Sequence, residues 1–356
     1  MNVAKGIGAS AAILGASALL LRHSISRKWI DYRACQRDLD LNDKVYVITG
    51  GNTGLGYETA KDLAERGATV VIACRDMEKG FEAMESIMKA TGNPDVECLE
   101  LDLCSLASVR EFVKTIQSHR QYSTIDGLIL NAGVWVPPAE TATSDDADES
   151  EPLASSPTKT QDGYEIHFGV NHLGHFFLAN SLVENVKKSG DGRIVFVASS
   201  LLKSGKLNFE AYDHIYSARQ IPPGEKKGFA PPAYCDSKLF NALTCKQLAT
   251  ILPPEVTTYS VCPGFCRSEL GRHANLGMVK KMLATPIMRL IQRTTTQGAQ
   301  NIVFCALEDK KNLKSGACYA DGEISKKLAK HVDSFGIMGP KSVWSVSDML
   351  VKDAAK

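Results

Sequence analysis

From residue 44 onward, short apolar runs alternate with amphipathic segments, and this constrains the fold more than any other feature. Val45–Thr49 is an apolar run that ends in Gly50. Residues 54–66 read as a helix, Thr69–Ala73 as a buried strand, 77–90 as a helix and Val96–Leu101 as a strand. Residues 105–118 are helical in pattern, Gly127–Leu130 a strand, 163–188 a helix, Arg193–Ala198 a strand, 233–250 a helix and Val256–Val261 a strand. Strands that are apolar throughout must be covered on both faces, and strand–helix–strand repeats pair their strands in parallel. The expected fold class is therefore α/β, a doubly wound parallel sheet forming one domain over roughly residues 42–320.

Composition fits such a domain and excludes other classes. Of 356 residues, 44% are hydrophobic and 23% charged, the balance of an ordinary packed protein. Forty-one basic against 40 acidic residues leave a net charge of +1, so no basic excess exists to neutralise a nucleic-acid backbone. A mean hydropathy of −0.12 excludes a bundle of membrane spans. The ten cysteines are scattered, with no CxxC pair. They read as reduced thiols rather than a disulfide framework, and no metal site is expected, Cys262, Cys266 and His273 included.

Three stretches stand outside the alternation. Gly6 to Leu21 carries no charge, with Lys5 before it and Arg22, Arg27 and Lys28 after it. As a helix it would span about 24 Å against a hydrocarbon core of roughly 30 Å, a gap that snorkelling ends can close. Residues 1–30 are thus expected to be a hydrophobic helix that anchors the chain in a membrane. Basic residues on its C-terminal side would leave the main domain in the cytosol, with the endoplasmic reticulum as the expected membrane. A mitochondrial targeting segment is the alternative, because residues 1–30 hold basic and serine side chains and no acid. Residues 137–160 are rich in Pro, Ser, Thr and acid and read as a solvated, flexible insertion. Residues 201–232 read as a long loop over the ligand crevice. Val279–Leu290 reads either as an ordinary amphipathic helix or as a substrate lid touching a bilayer. Residues 321–356 read as a polar tail with one apolar patch around Phe335–Met338.

The chemistry begins at Thr49-Gly50-Gly51-Asn52-Thr53-Gly54-Leu55-Gly56, between the first strand and the first helix. Glycines at this spacing allow a tight turn and close approach of the backbone to a pyrophosphate, which then sits at a helix N-terminus. Dinucleotide folds often place an acid at the end of the second strand to grip the ribose 2′-hydroxyl. Here that strand ends Ala73-Cys74-Arg75-Asp76. A neutral cysteine followed by a planar cation suits a 2′-phosphate, so NADP(H) is expected over NAD(H); Arg75 as a plain surface residue, or Asp76 gripping a ribose, is the alternative. Tyr-x-x-x-Lys occurs at Tyr57/Lys61 and at Tyr234/Lys238. Only the second opens a helix after the strand ending in Ser199-Ser200, and positions i and i+4 share a helix face. A phenol that titrates near 10 must fall by about three units, roughly 4 kcal/mol, to act as a base near neutrality. A cation about 4 Å away at an effective dielectric near 20 supplies roughly that. Lys238 is the expected cation, and Ser200 is expected to hydrogen-bond the substrate oxygen.

Taken in order, the glycine turn, Asp102-Leu103, Asn131-Ala132-Gly133, Asn171, Ser200, Tyr234-x-x-x-Lys238 and Pro263-Gly264 resemble the short-chain dehydrogenase/reductase family. The wording Val170-Asn171-His172-Leu173-Gly174-His175-Phe176, Tyr234-Cys235-Asp236-Ser237-Lys238 and Pro263-Gly264-Phe265-Cys266-Arg267-Ser268-Glu269-Leu270 resembles its retinol dehydrogenase branch. The resemblance implies a Rossmann-type fold. It implies Tyr234 as acid/base, Lys238 as ribose ligand that depresses the phenol, and Ser200 as the group orienting the carbonyl. Asn171 would hold a proton-relaying water. Gly50, Asn52, Thr53, Gly54, Leu55, Gly56, Arg75, Asp102, Leu103, Asn131, Ala132, Gly133, Pro263 and Gly264 would line the cofactor.

The resulting expectation is an NADP-dependent oxidoreductase moving hydride between the nicotinamide and a lipophilic alcohol/carbonyl pair of retinol/retinal type. Alternatives are a mitochondrial reductase of lipid aldehydes or steroid carbonyls and a non-catalytic dinucleotide-binding protein. Self-association into a homo-oligomer is left open. The Asn131–Asn171 and Ser200–Tyr234 intervals are longer than the branch usually has, which leaves the substrate open. His167, His172 and His175 read as packing or surface histidines rather than metal ligands.

Overall fold

The computed structural model describes residues 39–136, 158–207, 230–266 and 292–353. Strands β1 (Val45–Thr49), β2 (Thr69–Cys74), β3 (Val96–Glu100), β4 (Gly127–Leu130), β5 (Arg193–Val197), β6 (Thr257–Cys262), β7 (Cys318–Ala320) and β8 (Glu323–Ile324) form one sheet. Its order is β3-β2-β1-β4-β5-β6-β7-β8. All neighbours pair in parallel except β8, which runs antiparallel to β7.

The apolar strands account for both layers, because successive side chains point to opposite faces. Tyr46, Ile48, Val70 and Ile72 pack with α1 (Gly54–Glu65), α2 (Met77–Thr91) and α6 (Thr295–Leu307). Val45, Val47, Val71 and Ala73 pack with α3 (Leu106–Ser118), α4 (Gly174–Lys187) and α5 (Pro232–Ile251). Every residue of β1, β4 and β5 is buried. Strand order reverses between β1 and β4, and in such sheets the crevice beyond the strand ends at that point binds ligands.

The expected doubly wound sheet is present, with three differences in detail. The expected 163–188 helix is in fact a π-helical turn at Phe168–Leu173 that leads into α4. Such widened turns insert an extra residue and recur at functional sites. Helix α6 was not singled out in the sequence, although Thr294 and Gln297 form a reciprocal capping box at its start. Finally, 321–356 is not a polar tail: it contains β8, α7 (Lys326–Asp333) and α8 (Met338–Asp353). Its apolar residues are interrupted by polar ones, but Val346, Leu350 and Val351 all bury against Leu106, Tyr164, Phe168 and Phe176. The N-terminal segment, most of the acidic insertion and the 279–290 stretch lie outside the described residues.

If α8 is part of the core, Leu350→Ala should behave as a core truncation. Leu350 is 4% exposed, and such a change costs about 2–5 kcal/mol. Thermal unfolding should show a melting temperature lowered by several degrees; a shift under one degree would return this segment to the status of a tail.

Candidate active site

The glycine turn has the geometry of an anion cradle. Gly50 and Gly54 take φ of 64° and 58°, the left-handed region that only glycine enters freely. A Cβ on Gly56 would stand 2.2 Å from the carbonyl oxygen of Gly50, whereas one on Gly54 would meet nothing within 4 Å. The turn is thus closed beneath Gly56 and open above Gly54. Thr53 precedes α1 in an extended conformation and makes no side-chain cap, so the first N–H groups of α1 have no capping side chain. Uncapped N–H groups at a glycine turn suit a pyrophosphate. Asn52 and Thr53 are partly exposed on this turn, while Leu55 packs against the core.

At the end of β2, the carboxylate of Asp76 caps α2, accepting from Lys79 N at 3.2 Å, and pairs with Lys79 Nζ at 2.9 Å. These contacts occupy the one acid in the turn, and they hold its carboxyl below the usual range. Arg75 is exposed, and its guanidinium lies against the thiol of Cys104, beside Asp102. Asp102 Oδ1 accepts from Cys104 N at 2.9 Å. Leu103 is buried against Gly174.

Tyr234, Lys238 and Asn171 meet at the ends of β4 and β5. Helix α5 starts with Pro232, so Tyr234 and Lys238 lie one turn apart, buried at 4% and 3% exposure. Lys238 Nζ stands 5.8 Å from the centre of the Tyr234 ring and donates to Val197 O at 2.9 Å. A Cβ on Gly133 would be 3.2 Å from Asn171 Oδ1 and 3.5 Å from Lys238 Nζ, which places Asn131–Gly133 directly beside both. Pro263 and Gly264 follow β6. Gly264, at φ 87°, lies over the guanidinium of Arg293, which donates to Pro263 O and pairs with Asp321. The other Tyr-x-x-x-Lys motif lies elsewhere, with Tyr57 Oη bonded to Ser86 on α2.

Two expectations are corrected here. The serine that acts on the Tyr234 phenol is Ser199, whose hydroxyl works to lower it; Ser200 is exposed. Ser199 remains extended, at φ −152° and ψ 154°, as the cap of the turn Ser200–Ser204, whereas Ser200 has already entered that turn. Both serines favour a cap, so the residue pair alone does not reveal which one faces inward. Nor does Lys238 depress the phenol in this state. Burial pushes Tyr234 up despite Ser199, and burial pulls Lys238 down to about 8. Removing both groups from water favours both neutral forms.

Asn171 sits at the centre of a buried hydrogen-bond chain that the sequence did not reveal. Its Oδ1 accepts from Val134 N at 2.7 Å, and its Nδ2 donates to Val134 O and to Ser237 Oγ. Its backbone oxygen accepts from Asn241 Nδ2 at 2.8 Å and from His175 Nδ1 at 3.0 Å. Thr49 Oγ1 accepts from the N–H groups of Asn131 and Ala132, which leaves its proton for His175 Nε2 at 2.8 Å. Ser347 on α8 bonds His172 Nε2 at 2.8 Å, and His172 Nδ1 meets Asn241 Oδ1 at 3.1 Å. One arrangement of protons satisfies every link, with both imidazoles neutral. No group of three or more His, Cys, Asp or Glu side chains among the described residues is arranged to hold a metal.

These features match known proteins. A family model described as short chain dehydrogenase matches residues 44–214. Retinol dehydrogenase 12 of Homo sapiens is 39% identical over 296 residues, or 83% of each chain. The chain belongs to the short-chain dehydrogenase family. Retinol dehydrogenase 11 of Homo sapiens is 38% identical over 300 residues, 84% of each chain. Among solved structures, an uncharacterised protein from Mycobacterium paratuberculosis superposes with a TM-score of 0.60 at 28% identity, over 89% of this chain and 96% of its own.

The two network histidines of this short-chain dehydrogenase give it an acid limit. Burial lowers His172 from 6.5 to about 4 and His175 to about 3. In the unfolded chain both bind protons as pH falls through about 6.5, while the folded state stays neutral. Stability should therefore be complete above that pH and decline from there towards pH 4, at up to about 2.7 kcal/mol per pH unit for two protons. Denaturant midpoints measured between pH 7 and 4.5 should show this slope, and His172→Gln should remove about half of it. A midpoint that stays flat through pH 5 would show that the histidines do not resist protonation.

Proposed function

We propose that this short-chain dehydrogenase, an oxidoreductase of alcohol/carbonyl pairs that binds a nicotinamide dinucleotide, uses NADP(H) and acts on a lipophilic pair of retinol/retinal type. The observation that carries the reading is the meeting of buried Tyr234 and Lys238 with Ser199, beside Asn131–Gly133 and the glycine turn. The retinoid-like substrate class rests on the retinol dehydrogenases it resembles. When bound, the nicotinamide supplies or accepts the hydride and, oxidised, adds a positive charge to the pocket.

In reduction, the Tyr234 phenol gives its proton to the carbonyl oxygen while Ser199 donates a hydrogen bond to the same atom as charge grows there. Burial holds the phenol protonated, so the resting site has the proton in place for reduction. Lys238, at about 8, still carries its charge for most molecules at neutral pH and offsets the phenolate that remains. In oxidation the phenol must first lose its proton against that burial. Asn171 fixes Val134 beside the pocket.

NADP(H) preference rests on Arg75 and on Asp76 being occupied as a cap. Arg75→Ala should cost about 1.5–3 kcal/mol in kcat/KM with NADPH, while kcat/KM with NADH changes little. An unchanged ratio between the cofactors would show that another group reads the phosphate.

For the protein's location, the reading is an anchor over residues 1–30, on the endoplasmic reticulum with the catalytic domain in the cytosol. Its support is the uncharged Gly6–Leu21 stretch and the basic cluster after it. Among the described residues, no helix is long and apolar enough to cross a membrane.

The deciding experiment is turnover of all-trans-retinal in detergent micelles with NADPH. Tyr234→Phe should lose about 10²–10⁴-fold in kcat and Ser199→Ala about 10²–10³-fold, both with NADPH affinity retained. Ser200→Ala and Tyr57→Phe should remain near wild type. A Ser200→Ala loss larger than that of Ser199→Ala would reverse the serine assignment; an active Tyr234→Phe enzyme would remove the acid/base role.

A further inference from the structure

We infer that Glu165 and His167 form a clasp that positions the Val134–Val136 segment against Tyr234, and that this clasp governs how substrate meets the phenol. The second part rests on the function proposed above. Both side chains are buried, at 5% and 3% exposure, and neither belongs to the constellation described so far. The His167 ring stands edge-on to the Tyr234 ring, with centres 6.0 Å apart and planes at 84°.

The hydrogen bonds define a direction. Val136 N donates to His167 Nε2 at 3.0 Å, so Nε2 must be free of a proton. Glu165 Oε1 lies 2.6 Å from His167 Nδ1 and keeps the proton there. The other carboxylate oxygen, Oε2, accepts from Phe168 N at 2.8 Å. Both oxygens and both ring nitrogens therefore have partners, which suits a fixed brace rather than a proton donor. Two residues earlier, Asn171 holds Val134 through both its N–H and its carbonyl. His167 thus does for Val136 what Asn171 does for Val134. Together they staple the segment running on from Asn131–Gly133.

The same pair gathers the far flank of the acidic insertion. Ile166 N donates to Thr158 O at 3.0 Å, and Lys159 forms an antiparallel bridge with Glu165. Val136 and Thr158, the described residues on either side of 137–157, are thus both tied to Glu165–His167. A buried ion pair or hydrogen-bonded dyad is often just a satisfied piece of core. Two features set this one apart: it lies against the candidate acid/base, and it holds the backbone segment that runs on from Gly133, beside Asn171 and Lys238. Displacing reacting groups by about 1 Å can cost up to about 100-fold in rate, so a brace at this point has kinetic leverage.

The test uses the full chain and three variants. His167→Phe retains a ring against Tyr234 but cannot accept from Val136. His167→Gln restores an acceptor near the Nε2 position, and Glu165→Gln removes the charge that holds the proton on Nδ1. Amide hydrogen exchange of the peptide spanning 131–137 is the first readout. It should speed up about tenfold or more in His167→Phe and return towards wild type in His167→Gln. The second readout is steady-state turnover of all-trans-retinal with NADPH. His167→Phe should lose about ten- to a hundredfold in kcat/KM, with NADPH Kd within about twofold. His167→Gln should recover most of that loss, and Glu165→Gln should fall between the two.

Unchanged exchange in His167→Phe would overturn the clasp. Faster exchange with kcat/KM intact would overturn its control of turnover, and a His167→Gln variant as damaged as His167→Phe would overturn the role of the Nε2 acceptor. A loss of turnover matched by an equal loss of NADPH affinity would mark the pair as general core. If wild type turns over no carbonyl compound, the functional reading fails separately, and the exchange measurement still decides whether the brace exists.

Discussion

The backbone carbonyl of Asn171 is the point on which this molecule turns. It accepts two buried hydrogen bonds, from Asn241 on α5 and from His175 on α4. His175 passes the connection to Thr49 at the end of β1, and Thr49 passes it to Asn131 and Ala132 after β4. In the other direction His172 carries it to Ser347 on α8. A buried polar group without a partner costs about 1–3 kcal/mol, so each link depends on its neighbours being in place. The extra residue of the π-turn brings the Asn171 side chain to Val134 while its carbonyl serves the helices. Cofactor turn, α5 and C-terminal helix thereby share one frame.

Burial has a second consequence at the site. The pocket that withdraws Tyr234 and Lys238 from water raises the phenol and lowers the ammonium. A simple pairing of the two would have done the opposite to the phenol. The lysine amine is directed at Val197 O instead. The same burial that costs the charged forms strengthens any interaction with a charge arriving later, because the local dielectric is low. Burial thus favours the neutral phenol and draws the lysine towards its neutral form as well.

The C-terminal segment shows how local pattern misleads. Residues 321–356 look polar because their apolar residues are interrupted by lysines, serines and acids, yet α8 completes the core around Phe176 and Trp344. The histidines, read from sequence as packing or surface residues, are indeed packed. Their spacing carried no sign that His172 and His175 link the ends of a chain of donors, or that His167 meets Tyr234 edge-on. Such partners lie tens of residues away, at Asn241, Ser347 and Thr49, and no local periodicity records them.

What the sequence determined alone was everything set by short-range physics. Continuous apolar runs required a parallel sheet buried on both faces, glycine spacing required the turn after β1, and helical i, i+4 geometry put Tyr234 and Lys238 on one face. The order of the motifs was enough to recognise the family. Tertiary structure alone decided which of two adjacent serines faces inward, because Ser199 is still extended as the cap while Ser200 has entered the turn. It decided the direction in which Tyr234 and Lys238 shift, because burial is a property of the whole fold. It also decided the roles of Glu165, His167 and Ser347, whose hydrogen bonds close only when distant segments are packed together.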